Sequence, residues 1–135
     1  MTFMPYLHFD GTCAQAMRFY ADLFGGTNLQ LMTYAEAPPG QMPPSDRIMH
    51  AQFTAAGGTL MASDYPPGMA AQPQTSVSVM TAPASVDEGQ RLFAALAEGG
   101  SVVMPWGPTF WSPGFGMAQD RFGTHWIIGV EQPAA

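Results

Sequence analysis

Lysine is absent from this chain, and charge of either sign is scarce. Four arginines face ten acidic residues, charged side chains make up 10% of the 135, and the formal net charge is −6. An acidic chain without a basic stripe is a poor partner for nucleic acid, and for the same reason a poor partner for anionic membrane surfaces. Cysteine is limited to Cys13, so no internal disulfide can form. No apolar run approaches the length of a membrane span. The opening MTFMPYLHF carries neither a basic n-region nor a long apolar h-region, so no signal peptide is expected, and the expected compartment is the cytoplasm.

What is present is apolar and aromatic. Hydrophobic residues make up 47% of the chain, which argues against disorder, and the length suits one domain with a real core. Low surface charge with plentiful apolar area points to a homodimer that hides part of its surface. Thirteen prolines and fifteen glycines punctuate the chain.

Periodicity divides the chain into two similar halves. Residues 3–9 read as a short strand. Thr12 with Gln15 gives a capping-box pattern that opens a helix with Cys13, Ala16, Met17, Tyr20, Leu23 and Phe24 on one face, and Gly25-Gly26 ends it. Strands are expected at about 27–35, 47–55 and 59–63, with a proline-rich loop at 37–46 and a hairpin turn at Ala56-Gly57-Gly58. After a proline-rich linker the order recurs. A strand lies at 76–81, and a helix capped by Ser85 and Glu88 carries Val86, Phe93, Leu96 and Ala97 inward. It ends at Gly99-Gly100, and strands follow at about 101–105, 114–119 and 124–131.

Module one thus spans about 1–64, the linker about 65–74 and module two about 75–135. Phe19 precedes Gly25-Gly26 by the interval that separates Phe93 from Gly99-Gly100. The expectation is an α+β fold of two tandem β-α-β-β-β modules forming a cupped mixed sheet, with a ligand cup between them.

Several residues are candidates for chemistry. Asp64 follows the fourth strand directly, where a carboxylate at a cup mouth serves as a general base or, alternatively, caps its own loop through an Asx-turn. His50 is the other acid/base candidate. His8, His50 and His125 fall on three different strands, and the plain reading of each is a histidine that satisfies a local hydrogen bond. Cys13, on an apolar helix face, reads as a buried, inert thiol. Asp120, in the Asp120-Arg121-Phe122-Gly123 turn, reads as structural. Trp106, Phe110, Trp111, Phe115 and Trp126 either stack on a flat ligand or serve as core and interface rings, with Trp111 at a loop edge the best single candidate. Met61 and the other methionines give any ligand wall a soft, adaptable surface.

The segments PYLHFDGTCAQAMRFYADLFGG (5–26), MHAQF (49–53), GGTLMASDYPPG (57–68), the Leu92–Gly100 helix end and FWSPGFGMAQDRFGTHWII (110–128) resemble the vicinal-oxygen-chelate superfamily, which includes glyoxalase I, bleomycin-resistance proteins and extradiol dioxygenases. They are most similar to its PhnB-like group, some members of which are labelled demethylubiquinone methyltransferases. The resemblance covers nearly the whole chain and implies a small-molecule site in the cup. It also implies metal ligands from four strands in metal-dependent members, at positions that here hold Pro5, Met61, Ser76 and Ile127. None but Ser76 offers even a weak ligand. A shifted register offers His8, Ser63 and Ile128, which alternation is expected to turn away from the cup.

No metal ligand is therefore assigned and no cofactor is expected, although a divalent metal stays open. No strand is followed by a GxGxxG-type turn of the kind that binds S-adenosylmethionine in open α/β sheets. The expected function is binding of a small apolar or aromatic molecule without the usual metal. The alternatives are a metal-independent or atypical lyase, isomerase or dioxygenase, a methyltransferase, and a purely structural dimer.

Overall fold

A computed structural model describes residues 1–132, so the expected end of module two at 133–135 lies outside the described residues. The chain divides into two compact units, Met1–Gln72 and Pro73–Ala135, each built as β-α-β-β-β around its own four-stranded sheet.

In the first unit, β1 (Tyr6–Phe9) leads into α1 (Cys13–Phe24), followed by β2 (Thr27–Thr33), β3 (Ile48–Ala55) and β4 (Gly58–Asp64). The sheet order is β1-β4-β3-β2, with β1 parallel to β4 and the other pairs antiparallel. A 3-10 turn at Tyr34–Glu36, which periodicity gave no sign of, follows β2.

Strand alternation gives the sheet two unlike faces. Leu7, Phe9, Ala51, Phe53, Leu60 and Ala62 are buried beneath α1, whose own buried stripe is Cys13, Ala16, Met17, Tyr20 and Ala21. Each large apolar side chain so covered contributes about 1.5–3 kcal/mol. Gly25 ends the helix in the left-handed conformation at φ 65°. Gly26 must lack a Cβ, because one there would stand 2.5 Å from the Phe53 ring.

The expected Thr12–Gln15 capping box does not form, since Thr12 makes no side-chain cap hydrogen bond. A carboxylate from β4 takes its place.

In the second unit, β5 (Ser78–Thr81), α2 (Val86–Ala97), β6 (Ser101–Gly107), β7 (Phe115–Gln119) and β8 (His125–Gly129) form a sheet of order β5-β8-β7-β6, again with the first and last strands parallel. Ser85 Oγ accepts the Glu88 backbone N–H at 3.2 Å, which caps α2 as expected. Leu92, Phe93 and Leu96 are buried, whereas Val86, expected inward, lies in the first turn with 37% exposure. The helix-facing strand residues are Gly116, Ala118, Trp126 and Ile128.

Candidate functional site

Asp64 is 2% exposed. Its Oδ1 accepts backbone N–H groups from Gly11 at 2.8 Å and Cys13 at 3.0 Å, and its Oδ2 accepts that of Ile48 at 2.8 Å. One carboxylate thus ties the end of β4 to the β1–α1 turn, the first helical N–H and the start of β3. A negative charge at the N-terminus of α1 also complements the helix dipole. This placement corrects the expectation of an accessible general base at a cup mouth: both oxygens are engaged with the backbone, away from solvent. Tyr34 strengthens the same corner by donating its hydroxyl to the Asp64 carbonyl at 2.8 Å.

Two neighbours record the buried charge in their proton affinities. The Cys13 thiol is pushed up to about 12, first by burial and then by the adjacent carboxylate. The Tyr34 hydroxyl is raised by burial and by Asp64 as well. Cys13 is therefore a protonated thiol across the physiological range, as expected of an inert one.

The open face of the first sheet gathers the polar chemistry. On β1, Tyr6 and His8 share this face by period two, and the parallel register sets them beside Met61 and Ser63 of β4. The Tyr6 hydroxyl lies 2.9 Å from His50 Nδ1 on β3, and His50 Nε2 lies 2.8 Å from Gln52 Oε1. Gln52 pairs with Met61 on one side and Gln30 on the other. The Tyr6 ring sits 5.3 Å from the His8 ring and 5.6 Å from that of His50, while Tyr65 lies 5.7 Å from His8. Ser63 Oγ is 3.4 Å from His8 Nδ1.

His8 and Ser63 consequently share a face with Met61 rather than turning away from it, which corrects the reading of the shifted register. Ser63 stands two residues from Met61 and keeps its side. Ile128 does turn away, buried against the helix side of its own sheet.

Tyr6, Gln52 and Tyr65 escaped sequence reasoning as site residues, and His8 entered it only as a ligand of the shifted register that was set aside. The signals available were the i, i+2 spacings Tyr6–His8 and His50–Gln52. The order that brings β1 next to β4 could not be read from them.

The open face of the second sheet is apolar. Ile127 stands between Met80 and Met117, Met117 pairs with Met104, and Phe115 pairs with Gly129. At the end of this face Trp111 makes edge contacts with Phe115 at 5.2 Å and Phe110 at 4.8 Å, and Phe110 and Trp111 are 92% and 45% exposed. His125 sits at the other end between Ser78 and Gln119.

Trp106 lies apart from this cluster and is half-buried. Its indole packs where a Cβ at Gly89, Gly114 or Gly116 would intrude, with Phe93 at 5.8 Å. Trp126 is interior, donating its Nε1–H to Asp120 Oδ2 at 2.8 Å. Asp120 further accepts the N–H groups of Phe122 and Thr124, so its expected structural role is what its contacts describe.

Among the described residues no three His, Cys, Asp or Glu side chains gather as a metal site requires. At the strand-to-helix turn with a glycine, Asp10-Gly11-Thr12, the Gly11 N–H and the following Cys13 N–H already donate to Asp64, so the anion position there is filled by the protein itself. The corresponding turn before α2 contains no glycine and is capped by Ser85. These residues do not fit S-adenosylmethionine in the doubly wound manner. No described helix is long and apolar enough to cross a membrane.

Comparison with known proteins agrees with this architecture. The family model described as 3-demethylubiquinone-9 3-methyltransferase matches residues 1–129. Protein YjdN of Escherichia coli K12 is 34% identical, over 98% of this chain and 99% of its own. The crystal structure of PA1353 from Pseudomonas aeruginosa superposes with a TM-score of 0.88 at 41% identity, covering 98% of this chain and 99% of that one. The PhnB protein of Bacillus cereus follows at 0.76 and 24%, covering 96% and 99%. In fold alone the chain is also similar to the fosfomycin resistance protein FosX of Listeria monocytogenes, at a TM-score of 0.64 and 12% identity, over 98% and 94% of the two chains. With two mixed sheets and one helix on each, the chain has the glyoxalase/bleomycin-resistance type of fold, and with a family match along nearly its whole length it belongs to the 3-demethylubiquinone-9 3-methyltransferase family.

Proposed function

We propose that this protein binds a small, largely apolar or aromatic molecule without the usual metal, and that the open face of its first sheet supplies the polar contacts. The observation that carries this reading is the Tyr6–His50–Gln52 chain, with hydrogen bonds of 2.9 and 2.8 Å on a sheet face where period two would allow any solvated side chain. Partly desolvated polar groups held in one orientation by hydrogen bonds, beside Met61 and tilted rings, suit recognition of a ligand's polar edge. Trp111, Phe110 and Phe115 present aromatic edges in the second unit that suit a planar guest. A homodimer in the cytoplasm is the working assembly and setting.

The test is a thermal-shift screen of planar aromatic molecules, repeated with Tyr6→Phe and His50→Gln, alongside metal analysis of the native protein. Hits whose stabilisation is lost in these variants support the reading, since a ligand stabilises the state it binds. Stoichiometric divalent metal, or hits indifferent to both substitutions, would overturn it.

A second reading has its own observation. An imidazole hydrogen-bonded to a tyrosine hydroxyl is an acid/base pair, which favours a metal-independent lyase or isomerase with His50, rather than Asp64, as the proton-handling group.

A further inference from the structure

We infer that Tyr6 and His50 form a two-step proton acceptor for a weakly acidic hydroxyl on the bound molecule, with Gln52 as the residue that positions it. The inference rests on the binding reading above and adds the chemical class of the ligand group that meets the Tyr6 hydroxyl.

The argument begins at Gln52. Its Oε1 lies 2.8 Å from His50 Nε2, so it accepts the hydrogen that Nε2 carries. In the neutral ring the lone pair then belongs to Nδ1. Nδ1 lies 2.9 Å from the Tyr6 hydroxyl, which must donate to it. With its hydrogen so committed, the Tyr6 oxygen has only lone pairs left to offer a ligand, and it therefore selects a hydrogen-bond donor. Tyr6 is 41% exposed on an open sheet face, so that oxygen is accessible within its unit.

A weakly acidic hydroxyl meeting this oxygen has a balanced path for its proton. The ligand O–H bond breaks as a new Tyr6 O–H bond forms. The original Tyr6 O–H bond breaks as a bond from hydrogen to His50 Nδ1 forms. The ligand is left as an oxyanion held by the Tyr6 hydroxyl, and His50 becomes an imidazolium. Both its N–H groups keep their acceptors, the Tyr6 oxygen and Gln52 Oε1. No oxidant or second reactant is needed.

The identity of the acceptor on Nε2 matters. A carboxylate there would favour a proton on the ring before the ligand arrived, whereas the neutral Gln52 amide fixes the tautomer and leaves Nδ1 able to receive. The surroundings are mainly uncharged: Met61 pairs with both Tyr6 and Gln52, and Met32 pairs with His50. The other titratable rings on this side are His8, 5.3 Å from Tyr6, and Tyr65, 5.7 Å from His8.

The probe is para-nitrophenol, whose oxyanion alone is yellow. It is titrated with the full-length protein at a pH where the free phenol is mostly protonated. The expected result is saturable binding with a several-fold rise in the oxyanion band. Tyr6→Phe and His50→Gln, each shown to be folded by thermal unfolding, should bind the phenol more weakly and show no oxyanion band from whatever phenol they still hold. Gln52→Leu should give an intermediate band, because it frees the tautomer without removing either relay group.

Saturable binding of the neutral phenol, or an oxyanion band unchanged in the Tyr6 and His50 variants, overturns the inference while leaving the binding reading intact. Absence of phenol binding alongside hits elsewhere in the aromatic screen also overturns the inference alone. Absence of any hit removes both.

Discussion

Asp64 and Cys13 lie 51 residues apart in sequence, yet the Asp64 carboxylate accepts the Cys13 backbone N–H at 3.0 Å and thereby caps the first helix. The same two oxygens hold Gly11 and Ile48, so β1, α1, β3 and β4 converge on one buried charge. Its removal should act on folding rather than on chemistry.

Asp64→Ala leaves three backbone donors without their acceptor. Unmade hydrogen bonds of this kind cost about 1–3 kcal/mol each, with partial relief from water, so the expected loss is roughly 3 kcal/mol or more. Asp64→Asn should lose less, because one oxygen remains. Urea denaturation checks both, and a variant with wild-type stability would contradict the assigned role.

Alkali should weaken the first unit. In the unfolded chain the Cys13 thiol ionises near its ordinary value of 9.0, while in the folded protein burial holds its proton to about 12. The folded state therefore binds more protons in that interval. The associated stability is complete below the lower value and drains away as pH rises through the window. Tyr34, also raised, adds to the same slope. Cys13→Ala should flatten the alkaline limb of a stability-against-pH curve without erasing it.

Gly89→Ala sets two effects against each other. Alanine improves helix propensity by about 1 kcal/mol in a helix interior. Its Cβ, however, would stand 2.5 Å from Trp106 Cη2 and 3.1 Å from Pro83 Cγ. Overpacking of this kind costs about 1–3 kcal/mol, so the net expectation is destabilisation by up to about 2 kcal/mol. A lowered Tm with altered Trp106 fluorescence checks it. Gly100→Ala should be worse, because there the overlap is with the backbone of Gln119 and Asp120, which cannot swing aside.

Phe110→Ala should change stability by no more than about 0.5 kcal/mol, as expected for an exposed side chain. Its ring is 92% exposed and meets Trp111 edge-on. If this corner stacks on the ligand, the same substitution weakens binding of the screen hits several-fold. Isothermal titration alongside thermal unfolding separates the two effects.

Much of the fold was legible because its signals are local. Alternation in Ile48–Ala55, the stripe Cys13, Ala16, Met17 and Tyr20, and the glycine pair after each helix each depend only on near neighbours. The failures share a physical cause, which is long sequence separation. Thr12 looked like a cap because Gln15 follows it, but the cap arrives from β4. The space that the half-buried Trp106 indole fills is likewise opened from a distance, by Gly89, Gly114 and Gly116.

The candidate site was half legible for the same reason. His50 stood out by residue type. Its partner Tyr6 lies 44 residues away on a strand whose place beside β4 no periodicity states. Ser63 was assigned to the wrong side, although its spacing from Met61 already fixed its face.

The measurement that tests the account most directly is NMR of the histidine rings while a hit from the aromatic screen is titrated in. Binding on the open face of the first sheet predicts saturable shifts of the His50 and His8 resonances that track one affinity, and their loss in Tyr6→Phe. Saturable binding that leaves both histidines unmoved would contradict it.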